Sequence, residues 1–171
     1  MFSNVVLFVY DFDGVLTDNT VYVDQNGIET VRVNRADGLA ISMLKNEGRT
    51  QLILSTERNP VVTKRAEKLG IPVIQGSTNK KEALEQYCTD HNILLENVLY
   101  VGNDINDFEV MQCVGIRVCP SDAVARDPNA WYHVVLKVDN LSGTIYVNGE
   151  SVKTGITCKA TGTVSNHMVV G

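Results

Sequence analysis

Residues that could bind a metal ion and a phosphate group occur in four short segments of the sequence. The first is Asp11-Phe12-Asp13-Gly14, directly after the apolar run Val5–Tyr10. The others are Ser55-Thr56-Glu57-Arg58, Asn79-Lys80 and Gly102–Asp107. Carboxylate and amide oxygens are ligands that Mg²⁺ prefers, and a lysine ammonium pairs well with phosphate oxygens. Together the segments predict metal-assisted chemistry on a phosphate monoester.

Each segment alone has a simpler explanation. Asp-x-Asp-Gly can be a solvated turn, although a calcium loop is excluded because Val15 and Leu16 stand where it needs an oxygen ligand and a glycine. Ser55 and Asn103 can belong to helix caps, and Lys80 can be a solvated helix residue. The interpretation as one site therefore depends on the fold bringing all four segments together.

Strands and helices are predicted to alternate from residue 5 to residue 119. Strands are predicted at Val5–Tyr10, Thr50–Leu54, Pro72–Ile74, Val98–Val101 and Ile116–Cys119, and helices at Asp37–Asn46, Pro60–Leu69, Lys80–His91 and Asn106–Cys113. This alternation predicts an α/β fold with a parallel sheet between two helical layers. Ligands bind beyond the carboxyl ends of such strands, and the four segments fall there.

A hairpin is predicted between the first strand and the first helix. Gln25-Asn26-Gly27 lies between Val21–Asp24 and Ile28–Val33, and Asn-Gly between alternating apolar residues favours a tight two-stranded turn. This pattern predicts a β-hairpin at about residues 20–33.

The pattern changes at about residue 124. Strands are predicted at Trp131–Val138, Thr144–Asn148 and Ser151–Thr157, and no helical periodicity follows. We therefore predict one α/β domain over residues 1–123 and a β-rich tail over residues 124–171. The tail resembles a strand pair of concanavalin-like or laminin-G-like sheets, and either a divergent end or a fused fragment would explain it.

The composition excludes several classes of protein. Fifteen basic and twenty acidic residues give a net charge of −5, and without a basic run neither nucleic acid nor an anionic membrane is an expected partner. The apolar start is too short to cross a bilayer, which predicts a cytoplasmic protein. The four cysteines form no Cys-x-x-Cys pair, so reduced thiols are expected.

The residue types suggest a reaction in two steps. Asp11 would attack phosphorus to form an aspartyl-phosphate, with Mg²⁺ offsetting the repulsion between carboxylate and phosphate. Asp13 would protonate the leaving oxygen and then accept a proton from the water that hydrolyses the intermediate. Ser55 and Lys80 would hold the non-bridging phosphate oxygens.

The motifs resemble the haloacid dehalogenase (HAD) superfamily of aspartyl-phosphate phosphatases. Within it they are similar to 3-deoxy-D-manno-octulosonate (KDO) 8-phosphate phosphatases, sialic acid (nononate) 9-phosphate phosphatases and the phosphatase-like domain of CMP-sialic acid synthetases. The resemblance covers residues 4–123 and rests on these segments: Asp11–Asp18, Asn34 with Asp37-Gly38, Gln75-Gly76 before Lys80, Gly102–Asp107, Val114-Gly115 and Asp122-Ala123.

The resemblance implies a three-layer Rossmann-like core with a hairpin flap, no large cap domain, and a homotetramer in which the hairpin helps to close a neighbour's site. It implies Asp11 as nucleophile, Asp13 as acid and base, and phosphate binding by Ser55, Lys80 and Gly14. The implied Mg²⁺ ligands are Asp11, the backbone carbonyl of Asp13, and one or more of Asn103, Asp104 and Asp107. The implied substrate contacts are Asn34, Glu57, Arg58 and Lys68.

Three departures from the family pattern bear on function. Asn103 stands where the family usually has a metal-binding aspartate, and the family's glycine-rich ending is absent. Glu57 with Lys68 favours a nine-carbon over an eight-carbon sugar acid phosphate as substrate. Two functions remain open: a phosphatase of sialic acid or KDO (lipopolysaccharide) biosynthesis, or a non-catalytic oligomerisation module.

Overall fold

The computed structural model describes residues 4–120 and 122–123 in full, and the backbone of three further strands at residues 132–139, 142–147 and 150–157. In these residues the strands are β1 (Leu7–Tyr10), β2 (Thr17–Val23), β3 (Glu29–Val33), β4 (Thr50–Leu54), β5 (Val73–Ile74), β6 (Val98–Val101), β7 (Ile116–Cys119), β8 (Tyr132–Asp139), β9 (Ser142–Val147) and β10 (Glu150–Thr157). The α-helices are α1 (Ala36–Asn46), α2 (Val61–Leu69), α3 (Lys80–Asp90) and α4 (Phe108–Met111).

Five parallel strands form the centre of the main sheet, in the order β5-β4-β1-β6-β7. The predicted α/β fold is therefore confirmed. Tyr10, the last residue of β1, lies opposite both Ile53 of β4 and Val101 of β6. These strands end at the same level, so the segments that follow them meet at one edge of the sheet, as the alternation of elements predicts.

The central strands are buried on both faces because helices cover both. Ile53 and Leu54 are neighbours on β4 and point to opposite faces, yet neither is exposed. Ile53 packs with apolar residues of α1 and α2, and Leu54 packs with those of α3 and α4. Continuous apolar runs are typical of parallel strands with this double cover.

The ends of two helices control the placement of polar residues. The Asn79 side chain accepts a hydrogen bond from the Glu82 backbone N–H at 3.1 Å, so α3 begins at Lys80 at the edge of the sheet. The helix predicted at Asn106–Cys113 is wrong in its bounds. A 3₁₀ turn (Ile105–Asp107) precedes a short α4, because Asp104 and Asp107 form a capping box that tightens this turn.

The predicted hairpin is confirmed as the antiparallel pair β2 and β3, which forms a separate two-stranded sheet. Gly27 adopts φ +78° at its tip. The Asp24 carboxylate accepts hydrogen bonds from the backbone N–H groups of Asn26 and Ile28, at 2.8 and 2.9 Å. Residues 18–30 are all exposed, which makes the hairpin a flap on the surface of the domain.

The backbone of the tail continues the main sheet. β8 pairs in parallel with β7, and β9 and β10 follow in antiparallel order. The three strands predicted for the tail are confirmed with shifted bounds, while Trp131 and Asn148 lie outside the described residues. The division of the chain at residues 123 and 124 into a domain and a tail remains a prediction.

The state of the cysteines and the character of the helices bear on two expectations from the sequence. Cys88 and Cys113 are free thiols, as expected, and Cys158 lies outside the described residues. No helix in the described part of the chain has the length and apolar character that crossing a membrane requires.

Candidate active site

A buried lysine joins two of the predicted polar segments. Lys80 Nζ lies 2.9 Å from Asp11 Oδ1 and 2.7 Å from Asp107 Oδ1. The three side chains are 1%, 6% and 0% exposed, respectively. Two carboxylates and one ammonium in a nearly water-free environment are strongly coupled, and as charged groups they carry one excess negative charge.

The Asp107 carboxylate accepts four hydrogen bonds. Its Oδ1 accepts from Lys80 Nζ and from the Tyr100 hydroxyl, the latter at 2.8 Å. Its Oδ2 accepts from the backbone N–H groups of Asn103 at 2.9 Å and Asp104 at 3.3 Å. The usual acceptor capacity of a carboxylate is thereby filled, so Asp107 holds Lys80 and shapes the loop after β6.

The Asn103 side chain is buried against Gly14, and its amide oxygen lacks a partner. A Cβ atom at Gly14 would lie 1.9 Å from Asn103 Nδ2, and Gly14 has φ +78°, so both space and backbone conformation require glycine there. Asn103 Oδ1 makes no hydrogen bond within the described residues. A buried oxygen without a partner is costly to leave, and a bound cation would satisfy it.

The oxygen donors of the site fit a hard cation such as Mg²⁺. No group of three His, Cys, Asp or Glu residues in the described part of the chain could hold a metal ion. A metal at this edge therefore needs an amide or backbone oxygen besides the Asp11 carboxylate, and Asn103 Oδ1 offers one. Asp104 is half-buried, and its carboxylate accepts from the Ile105 N–H at 2.6 Å as a helix cap.

The electrostatics of Asp11 follow from this environment. Burial raises the pKa of its carboxyl from 3.8 to about 7, and the charge of Asp107 acts in the same direction. The ammonium of Lys80 and the hydrogen bond from the Phe12 N–H, at 2.7 Å, lower the pKa. A carboxyl so placed is ionised far more readily when a cation is close.

Asp13 lies beside a cleft of about 310 Å³ between the flap and the loop after β4. Glu57, Glu29 and Asn59 also line this cleft. Burial raises the pKa of Asp13, the charge of Glu57 raises it further, and Lys80 opposes them. A carboxyl with a raised pKa retains its proton to higher pH, which is what proton donation to a leaving group requires.

Ser55 is buried at the carboxyl end of β4. Its Oγ accepts a hydrogen bond from the Glu57 N–H at 3.0 Å, and Glu57 Oε1 accepts from the N–H groups of Arg58 and Asn59 at 2.6 and 2.7 Å. These bonds form a tight turn that aims Glu57 into the cleft beside Asp13. Ser55 and Asp11 share one edge of the sheet because β1 and β4 end in register.

Three of the predicted substrate contacts lie elsewhere. Arg58 is exposed, and Lys68 is exposed in the last turn of α2, and neither lines a cleft identified in the described residues. Asn34 lines a different cleft of about 570 Å³, and its side chain accepts from the Ala36 N–H at 2.9 Å. Of the four predicted contacts, Glu57 alone lines the cleft beside Asp13.

Sequence reasoning missed Tyr100, whose hydroxyl reaches the site from an otherwise apolar strand. Tyr100 carries the only hydroxyl in the apolar run Val98–Val101, and a buried tyrosine needs a hydrogen-bond partner for its hydroxyl. This feature of the sequence could have indicated that Tyr100 contacts a polar group. Glu29 and Asn59 were missed because the flap and the loop after β4 come together only in the folded chain.

The fold and this arrangement of carboxylates and lysine define a hydrolase of the α/β class, and comparison with known proteins gives the family. The family of haloacid dehalogenase-like hydrolases matches residues 59–147, more than half of the chain. The chain belongs to this family. The resemblance drawn from the motifs is thereby confirmed.

Among curated proteins, the 3-deoxy-D-manno-octulosonate 8-phosphate phosphatase KdsC of Escherichia coli is 36% identical over 122 residues. That match covers 71% of this chain and 65% of KdsC, so the chain spans less than two thirds of this relative.

Among solved structures, a protein from Streptomyces avermitilis described as a HAD family hydrolase is 48% identical, with a TM-score of 0.70 over 72% of this chain and 71% of that one. The 3-deoxy-D-manno-octulosonate 8-phosphate phosphatase from Moraxella catarrhalis, solved with magnesium, phosphate and KDO, is 25% identical. Its TM-score is 0.71, and the match covers 90% of this chain and 80% of that one.

Proposed function

We propose that this protein is a Mg²⁺-dependent phosphatase that hydrolyses a phosphorylated 2-keto-3-deoxy sugar acid. The observation that carries the proposal is the buried pairing of Lys80 with Asp11 and Asp107 at the edge of the sheet. A lysine in this position can bind a phosphate oxygen while it orients the carboxylate that attacks phosphorus. The similarity to KdsC supports the substrate class.

The proposed reaction uses the described side chains in fixed roles. Asp11 attacks phosphorus, the bond from phosphorus to the sugar oxygen breaks, and Asp13 gives its proton to that oxygen. Asp13 then takes a proton from water, which attacks phosphorus and releases inorganic phosphate from Asp11. Lys80 and Ser55 hold the non-bridging oxygens, whereas the Gly14 N–H donates to Thr17 Oγ1 at 3.1 Å.

Mg²⁺ would be held by the Asp11 carboxylate, Asn103 Oδ1 and the backbone carbonyl of Asp13. When bound, the ion offsets the negative charges that keep a phosphate dianion away from Asp11. The unpartnered oxygen of Asn103 supports its place in this set. Asp107 and Asp104 are less suitable as metal ligands, because their carboxylates already accept hydrogen bonds from Lys80 and from backbone N–H groups.

Two substrates fit the proposal: an octulosonate 8-phosphate and a nononate 9-phosphate. The named relatives favour the first. Glu57 in the cleft beside Asp13 favours a polyhydroxylated leaving group that donates hydrogen bonds, which both sugars offer. The alternative of a non-catalytic oligomerisation module has less support, because the buried network of Asp11, Lys80 and Asp107 is present.

We also propose a cytoplasmic homotetramer in which the flap of one subunit closes the site of another. The exposed apolar side chains of the flap support this arrangement, with Val21, Tyr22 and Val23 49%, 58% and 59% exposed. Light scattering would measure the mass in solution, and a monomer would contradict this part of the proposal.

The function is tested by measuring phosphate release from eight-carbon and nine-carbon sugar acid phosphates, with Mg²⁺ and with a chelator. We expect turnover with Mg²⁺ that Asp11→Asn abolishes. Asp90→Asn, a change at an exposed aspartate at the end of α3, is the matched control and retains activity. Equal phosphate release by the wild type and Asp11→Asn would refute the proposal.

A further inference from the structure

Tyr100 connects the hydrophobic core to the candidate active site. Its ring is completely buried among apolar residues that include Leu84 and Met111. Its hydroxyl donates a hydrogen bond to Asp107 Oδ1 at 2.8 Å. Phenylalanine would fill the same apolar space, so the hydroxyl has a role that packing alone does not explain.

The Tyr100 hydroxyl acts as a hydrogen-bond donor to Asp107. Burial, first of all, and then the nearby charges of Asp107 and Asp11 raise its pKa well above the usual value. The hydroxyl therefore keeps its proton at neutral pH. A hydrogen bond from such a donor to a buried carboxylate is among the stronger ones in proteins.

The ammonium of Lys80 has three hydrogen atoms and three neighbouring acceptors. They are Asp11 Oδ1 at 2.9 Å, Asp107 Oδ1 at 2.7 Å and Asn106 Oδ1 at 3.3 Å. Asp11 and Asp107 are buried, whereas Asn106 is exposed and makes the longest of these contacts. A phosphate oxygen that arrives from solvent can take the place of Asn106, provided that the other two acceptors keep Lys80 in place.

We propose that Tyr100 is a positioning residue, whose hydroxyl fixes the Asp107 carboxylate and through it directs Lys80 towards Asp11 and the transferring phosphoryl group. Tyr100 and Lys80 share Asp107 Oδ1, and the two backbone N–H groups of the loop occupy Oδ2. Without the hydroxyl, Oδ1 has Lys80 as its remaining partner and draws the ammonium away from Asp11. The role in catalysis rests on the proposed function.

Tyr100→Phe tests the proposal because it removes the hydroxyl and keeps the ring. We expect kcat to fall about tenfold with KM changed less than twofold, because the geometry of Lys80 matters most when charge builds up on the phosphoryl oxygens. Tyr10→Phe is the matched control. It removes a hydroxyl that donates to Gln51 Oε1 at 3.0 Å on the neighbouring strand, and we expect kcat within about twofold of the wild type.

A double-mutant cycle tests the route of the effect. If Tyr100 acts through Asp107, the variant that combines Tyr100→Phe with Asp107→Asn is no slower than Asp107→Asn alone. Multiplied effects would contradict the proposed route, as would a Tyr100→Phe enzyme with the kcat of the wild type.

A second measurement does not depend on turnover. Nuclear magnetic resonance of protein labelled with ¹⁵N at the lysine side chains reports the environment of the buried Lys80 ammonium. We expect its signal to shift in Tyr100→Phe and to stay in place in Tyr10→Phe. An unshifted signal in Tyr100→Phe overturns the proposal about Tyr100. If the signal shifts in Tyr100→Phe but the wild type has no phosphatase activity, the proposed function alone is refuted.

Discussion

Replacing Asp11 with asparagine is expected to stabilise the metal-free protein at neutral pH while it abolishes the proposed activity. Asp11, Lys80 and Asp107 are buried together, and as charged groups they carry one more negative than positive charge. Asparagine keeps the shape of the side chain and removes that excess charge. The carboxylate proposed as nucleophile therefore lowers the free energy of unfolding of the metal-free protein.

The magnitude and the sign follow from the pKa of Asp11, which burial raises from 3.8 in the unfolded chain to about 7 in the folded one. Between these values the folded protein binds a proton that the unfolded chain has released, so the free energy of unfolding falls as the pH rises. The full effect is on the order of 4 kcal/mol and is complete above pH 7.

Urea unfolding in a chelator, followed by circular dichroism at several pH values from 4 to 8, measures this effect. We expect Asp11→Asn to be more stable than the wild type by a few kcal/mol at about pH 8, and the two to converge as the pH approaches about 4. Asp90→Asn serves as the control for an exposed site. If the wild type and Asp11→Asn show the same dependence of stability on pH, the electrostatic reasoning is wrong.

Three further predictions concern neighbouring residues. Asn103→Asp adds a charge to the proposed metal site, and we expect calorimetry to show about tenfold tighter Mg²⁺ binding in the absence of substrate; unchanged affinity would argue against Asn103 as a ligand. Gly14→Ala places a Cβ 1.9 Å from Asn103 Nδ2, whereas Gly27→Ala has the same φ of +78° and open space, so we expect a far larger loss of thermal stability at Gly14; equal losses would contradict the steric argument. Glu57→Gln removes a charge that raises the pKa of Asp13, so the alkaline limb of the pH profile of kcat/KM should move to lower pH. If the alkaline limb stays at the same pH, Asp13 is not the proton donor.

The sequence was sufficient to predict the sheet and the edge at which the polar segments meet. Apolar runs such as Val98–Val101 and the Asn26-Gly27 turn are local signals, and the observed elements follow them closely. The convergence of Asp11 and Lys80 could be predicted as well, because parallel strands present their carboxyl ends at one edge.

The partners of individual side chains could not be predicted in the same way. Asp104 and Asp107 have the same residue type and lie three positions apart, yet Asp107 alone is fully buried and reaches Lys80. The difference arises because the 3₁₀ turn after Asp104 rotates Asp107 inwards, and this turn depends on hydrogen bonds that form within the folded loop. The contact between Gly14 and Asn103 likewise depends on how closely two distant loops approach.

The flap formed by β2 and β3 has a consequence for the dynamics of the protein. Its strands pair with each other and not with the main sheet, and residues 18–30 are exposed. In a subunit whose flap is not covered by a neighbour, the backbone amides of the flap should therefore exchange with solvent deuterium through local opening, at a free energy well below that of global unfolding. Opening of the flap widens the cleft beside Asp13 while the strands that hold Asp11 and Asp107 stay paired. Under the proposed function, product release can thus proceed on a faster timescale than unfolding of the sheet that holds the site.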